Sequence, residues 1–204
     1  MIRFSNLTDN INEIARLIFQ TDDIMPFLFG RQEKAVLKLK NLIENLDTVF
    51  SHKNIIIYQK DTQAIAGILL FYSIKNIDKK RENKAYGRIF STSELFSLWL
   101  KSLILKSIHE KSEVDGLYIQ NISVDAAARG EGIGTKLMNF VQEHALQKGY
   151  SSLWLDVAFT NPKAKKLYER EGFIEVSKHP ILFSKNGFFR MRKNLLEIQR
   201  MQQV

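Results

Sequence analysis

Apolar residues recur along this chain with two periods, and each change of period marks an element. Ile2 to Asn6 read as a first strand, after which Asp9 or Asn10 is placed to cap a helix with Ile11, Ile14, Ala15 and Ile18 on one face. The segment TDDIMPFLFG breaks that pattern, and Ala35, Val36, Leu39, Leu42, Ile43 and Leu46 then predict a second helix. Asn54 to Gln59 and Ala64 to Ser73 flank KDTQ, a hairpin signal.

The stretch KNIDKKRENKAYGR is polar and reads as a loop. Ser91 and Glu94 have capping-box spacing, and Leu95, Phe96, Trp99, Leu100, Leu103, Ile104 and Ile108 predict a helix with a broad apolar face. An apolar run from Leu117 closes with Ile122, Ser123 and Val124. Beyond it come Gly130, Gly132 and Gly134, and then Ile133, Leu137, Val141 and Ala145 at helical spacing. SSLWLDV reads as a strand. Asn161 suits an N-cap, Pro162 the first helical position and Gly172 a helix stop, which places Asn161, Ala164 and Tyr168 on one face. Phe173 to Phe183 and Gly187 to Leu195 predict a final antiparallel pair, followed by the polar tail EIQRMQQV. The expectation is one domain over 1–204, with a helical insertion at 75–114 and a polar tail at 196–204.

Bulk properties narrow the function. A chain of 204 residues, 45% apolar, can bury one sizeable core. With no cysteine, disulfide and thiolate chemistry are excluded. The four histidines lack metal-ligand spacing, so no metal is expected. MIRFSNLTDN does not resemble a secretion signal, and the longest apolar stretch, Ile65 to Tyr72, is too short to cross a bilayer. A cytoplasmic protein without membrane partners is expected. The formal charge of +8 is spread over several segments with no nucleic-acid motif, so no nucleic-acid partner is expected.

The chemistry concentrates where the strand ending at Val124 meets the helix starting near Ile133. Glycines there let backbone N–H groups approach a phosphate, and the N-terminus of the new helix favours the anion. The pattern is not a nucleoside-triphosphate P-loop, because Thr135 separates Gly134 from Lys136 and Leu137 follows. Nor is it the dinucleotide GxGxxG. Arg129, Gly132 and Gly134 make Arg-x-x-Gly-x-Gly, which resembles the coenzyme A-binding motif of the GNAT superfamily of N-acetyltransferases. Residues 161–173, NPKAKKLYEREGF, resemble that family's second signature in Asn161, Ala164, Leu167, Tyr168, Gly172 and Phe173. The resemblance covers about residues 117–173. It departs at Ala126, where many relatives carry proline.

The resemblance implies an α/β fold: a mixed, mostly antiparallel sheet flanked by helices, with a splayed parallel strand pair holding the coenzyme. It implies acetyl transfer from acetyl-CoA to a primary amine by direct attack, the acceptor being a small molecule or a peptide amine. Ile122, Ser123 and Val124 would contact pantetheine. Arg129, Gly130, Gly132, Ile133, Gly134 and Thr135 would hold the pyrophosphate, and Asn161, Ala164 and Tyr168 would flank the arm. Tyr168 corresponds to the family's general acid. Asp156 stands where some relatives carry a catalytic base, and an ordinary strand carboxylate is the other reading. The connection holding Asp22, Asp23, Phe27 and Phe29 would border the acceptor. The insertion's apolar face could pack on the core, line the acceptor pocket or form a homodimer interface. A coenzyme A-binding sensor without catalysis is the rival function.

Overall fold

In the computed structural model, which describes residues 1–21, 24–105, 116–181 and 186–196, β1 (Ile2–Phe4), β2 (Ile55–Gln59), β3 (Ile65–Ser73) and β4 (Leu117–Val124) pair antiparallel in chain order. β5 (Ser152–Ala158) then joins β4 in parallel, across α6 (Ile133–Gln147), as a parallel connection requires. β7 (Gly187–Asn194) lies between β5 and β6 (Ile174–Pro180), antiparallel to both, and completes a seven-stranded sheet of order β1-β2-β3-β4-β5-β7-β6. This is the mixed, mostly antiparallel architecture expected from the resemblance.

Strand alternation sends side chains to two helical layers. On one face Leu137, Met138, Val141 and Ala145 of α6 pack against Leu117, Ile119, Leu153, Leu155 and Val157. On the other face α1 (Ile11–Phe19) and α3 (Gln32–Glu44) bring Ile14, Leu17, Ile18, Leu39 and Leu42 onto Ile55, Ile57, Ile68 and Leu70. β3 is covered on both faces, which explains its continuous apolar run. Each fully buried Ile or Leu stabilises the fold by ~1.5–3 kcal/mol.

The caps read from sequence are present. Asn10 accepts from the Glu13 N–H at the start of α1, and Asn161 accepts from Ala164 at the start of α7 (Pro162–Arg170). Ser91 and Glu94 form the capping box of α5 (Thr92–Ile104).

Three segments differ from their sequence reading. The polar stretch expected as a loop contains α4 (Lys79–Ile89). The Asp78 side chain caps it by accepting from the Lys80 and Arg81 N–H groups, Ala85 is buried, and Tyr86 stacks on Phe90 at 5.4 Å. Capping and tertiary packing replace the missing apolar period. The segment that broke the first helical pattern forms α2 (Ile24–Phe29), with Met25 buried and Gly30 (φ +82°) closing it. Asp22 and Asp23 lie outside the described residues. On α5, Phe96, Trp99 and Leu103 are 59%, 54% and 50% exposed, so they do not pack on the core, while Leu95 and Leu98 turn inward. Ile108, Phe183 and the tail from 197 onward also lie outside the described residues.

Candidate active site

β4 and β5 pair at Leu117↔Leu153, Tyr118↔Trp154 and Ile119↔Leu155, and there the ladder stops although both strands continue. The cause lies on the far side of β4. Leu70 faces Asn121 and Phe71 faces Ile119, so Gln120 is an extra residue, a bulge that bends β4 where it parts from β5. β5 meanwhile stays on β7, through Asp156↔Arg190, Val157↔Phe189 and Ala158↔Phe188. Among the described residues, the β5-facing edge of Asn121 to Val124 pairs with no strand beyond this split, the kind of edge that pairs with an extended ligand carrying amides. Below the split the strands are clamped. A Cβ at Gly116 (φ +140°) would stand 2.1 Å from the Ser152 carbonyl oxygen.

β4 leads into the glycine turn through a short 3₁₀ turn, Ala126–Ala128. Asp125 accepts from the Ala127 N–H at 3.0 Å and pairs with Arg16 of α1 at 2.6 Å, which secures the turn that opens at Ala126. Gly132, at φ +72°, is the residue before α6 in a left-handed conformation that suits glycine. The first backbone bond closing α6 here runs from Lys136 to the Gly132 carbonyl, which leaves the N–H groups of Ile133, Gly134 and Thr135 beyond the helix ladder. A Cβ built at Gly130, Gly132 or Gly134 meets nothing within 4 Å. This open cradle of N–H groups, with exposed Arg129 at its edge, fits a pyrophosphate. The Thr135 hydroxyl donates to Glu171 at 2.9 Å, tying the cradle to α7.

Tyr168 sits on α7 at 8% exposure, 6.1 Å from the Phe173 ring, on the same face of the sheet as Leu155 and Val157. Asp156 alternates to the opposite face. The two candidate catalytic side chains thus flank the sheet from opposite sides at the wedge. Asp156 accepts from Arg190 Nε at 2.9 Å and Nη2 at 3.1 Å, and from the Tyr118 hydroxyl at 3.1 Å. Burial, and then the charge of Asp156, push the Tyr118 phenol well above its ordinary value.

Asp156 is in the wall of a cavity of about 820 Å³ on that face. Tyr72, Tyr118, Gln120 and Phe188 form its floor, while α2, α4 and α5 contribute Met25, Leu28, Phe29, Glu82, Tyr86, Leu95 and Leu98. Tyr72 donates to Gln120 at 2.9 Å, connecting this floor to the bulge. Phe29 of the expected acceptor connection lines the cavity, whereas Phe27 is 40% exposed with Lys101 over its ring. Sequence reasoning missed Tyr118, Arg190, Tyr72 and Glu82. The first of the two arginines inside GFFRMR was a visible signal for Arg190, but its partner follows from strand register alone.

The fold and cradle define a class, and the chain's relatives name it. Residues 27–173 match the model of the acetyltransferase (GNAT) family, and the chain belongs to that family. A curated acetyltransferase from Agrobacterium fabrum is 38% identical over 60 residues, 29% of this chain and 42% of that protein. Thialysine N-ε-acetyltransferase from Bos taurus is 43% identical over 56 residues, 28% of this chain and 33% of that protein. The matches therefore span less than half of these relatives' own length. The solved structure of an N-acetyltransferase from Staphylococcus aureus Mu50 shares the fold at TM-score 0.74 and 23% identity, covering 94% of this chain and 99% of that one. No helix among the described residues is long and apolar enough to cross a membrane.

Proposed function

We propose that this protein transfers an acetyl group from acetyl-CoA to a primary amine by direct attack of the amine on the thioester. The observation that carries this reading is the wedge between β4 and β5, which has the open glycine cradle at its mouth, Tyr168 on one face and the Asp156 cavity on the other. Acetyl-CoA supplies an activated acyl group. Arg129, Gly130, Gly132, Ile133, Gly134 and Thr135 hold its pyrophosphate, chiefly through backbone N–H groups. Ile122, Ser123 and Val124 offer backbone partners to the pantetheine amides, with Asn161 and Ala164 on the other side of the arm.

An alkylamine is protonated at neutral pH, with a pKa near ~10.4, and must lose a proton before it attacks. Asp156 serves as the base through water, because its carboxylate already accepts from Arg190 and Tyr118. N–H groups along the edge of β4 beyond its split from β5 stabilise the developing oxyanion. Tyr168 gives its proton to the leaving thiolate. The acceptor, a small molecule or a peptide amine, enters through the cavity.

The test is thiol release from acetyl-CoA across a panel of amines, with product mass identifying the acetylated compound. Acceptor-dependent release with a mass gain of one acetyl group supports the reading. Tight acetyl-CoA binding without release for any amine would make the protein a coenzyme sensor instead.

A further inference from the structure

The cavity lined by Asp156 has a second carboxylate in its wall, Glu82 of α4. The two are not equivalent. Asp156 is balanced by the guanidinium of Arg190, which is 1% exposed. Glu82 forms no ion pair among the described residues; it accepts from the Val49 N–H at 3.1 Å. Lys79, one turn earlier on α4, borders the same cavity without pairing with it.

Burial holds the Glu82 carboxyl above the usual carboxylate range, against the opposing pull of Val49 and Lys79. Its neighbours are Tyr86, on the next turn of α4, and Tyr72, and both phenols are pushed up by burial first and by the charge of Glu82 next. A part-buried carboxylate among aromatic rings, in no ion pair among the described residues, is the arrangement that a ligand ammonium or guanidinium completes. Tyr72 links the surroundings of Glu82 to the bulge at the wedge through its bond to Gln120.

We infer that the acceptor is a dication, whose second cationic group binds Glu82 while its reacting amine lies at the β4–β5 wedge. This rests on the acetyl-transfer reading and names its substrate class. The inserted helix α4 then sets specificity, and a monoamine of equal length leaves Glu82 unpaired. A dication sets its remote cation against Glu82 and its chain against the aromatic lining, while its reacting amine loses a proton through water to Asp156 before it attacks.

The experiment uses the full chain with acetyl-CoA and a series of α,ω-diamines of increasing length, each against the monoamine of matching length. The expected result is a kcat/KM preference for one diamine of about tenfold or more, the scale of a charge-assisted contact. In Glu82→Gln, which keeps an acceptor for the Val49 N–H, that preference falls to within about twofold, mainly through KM. Calorimetric titration of the same diamine, without acetyl-CoA, reads the site independently of turnover. Turnover of monoamines and diamines alike, or a preference that survives Glu82→Gln, overturns the inference and leaves acetyl transfer standing. If no amine is acetylated yet diamine binding depends on Glu82, the site stands and the acetyl-transfer reading fails. If there is neither turnover nor Glu82-dependent binding, the inference is overturned.

Discussion

Asp156 and Arg190 face each other across β5 and β7, joined by guanidinium–carboxylate bonds at 2.9 and 3.1 Å in a pair whose arginine is 1% exposed. A buried pair is costly to break from one side, because the survivor keeps its charge without its partner. Arg190→Met should therefore destabilise the protein by about 3–5 kcal/mol. Arg190→Met combined with Asp156→Asn should recover a large part of that loss. Urea unfolding of the two variants is the check, and equal stability of both would show that the charge is balanced elsewhere.

Tyr168 sits on the opposite face of the sheet from Asp156, with its ring among core residues. Tyr168→Phe keeps that packing and deletes the proton. Acetyl-CoA affinity should be unchanged and turnover should fall about 100-fold or more, the usual scale for a positioned acid. Parental turnover in the variant, with chemistry rate-limiting, would leave water as the acid.

Gly134 stands in open space at the start of α6. Gly134→Val should fold, since the added atoms meet no protein atom near the Cβ, yet it should weaken acetyl-CoA binding by filling the cradle. Calorimetric titration that finds parental affinity in the folded variant would remove the cradle from the coenzyme site.

Glu94 closes the capping box of α5 and pairs with Lys38 at 2.9 Å. The backbone bond from Ser91, followed by Lys38, lowers its pKa from 4.5 to about 2. A folded-state pKa below the unfolded value means the stabilisation is complete above pH 4.5 and is lost as pH falls towards 2. The stability gap between the parent and Glu94→Gln should therefore narrow across that window. Chemical denaturation at a series of pH values is the measurement, and a constant gap would contradict the cap's titration.

Trp99, 54% exposed on α5, should tolerate Trp99→Ser within about 0.5 kcal/mol, as surface positions do. Thermal melting at several protein concentrations checks this. Concentration-dependent melting in the parent that vanishes in the variant would instead place a second copy of the chain on that face.

Local chemistry made part of the site legible in the sequence. The glycine turn at Gly130–Gly134, the Asn161 cap, and the shared face of Ala164 and Tyr168 depend on φ preferences, capping bonds and helical period, all set within a few residues. Leu117–Val124 and Ser152–Ala158 were legible as strands from their apolar runs. The parting of those strands was not, because the bulge at Gln120 exists only in the register of β4 on β3. Register also decides that Arg190 meets Asp156, through β7 passing between β5 and β6. The polar segment holding Glu82 has too weak an apolar period to announce a helix. Its Asp78 cap and the packing of Ala85 and Tyr86 make it one, and that packing brings Glu82 into the wall of the cavity. Sequence thus determined most strands, the periodic and capped helices and the glycine turn, which are short-range. Tertiary structure decided which charges meet, because pairing across strands and layers joins residues that share no local period.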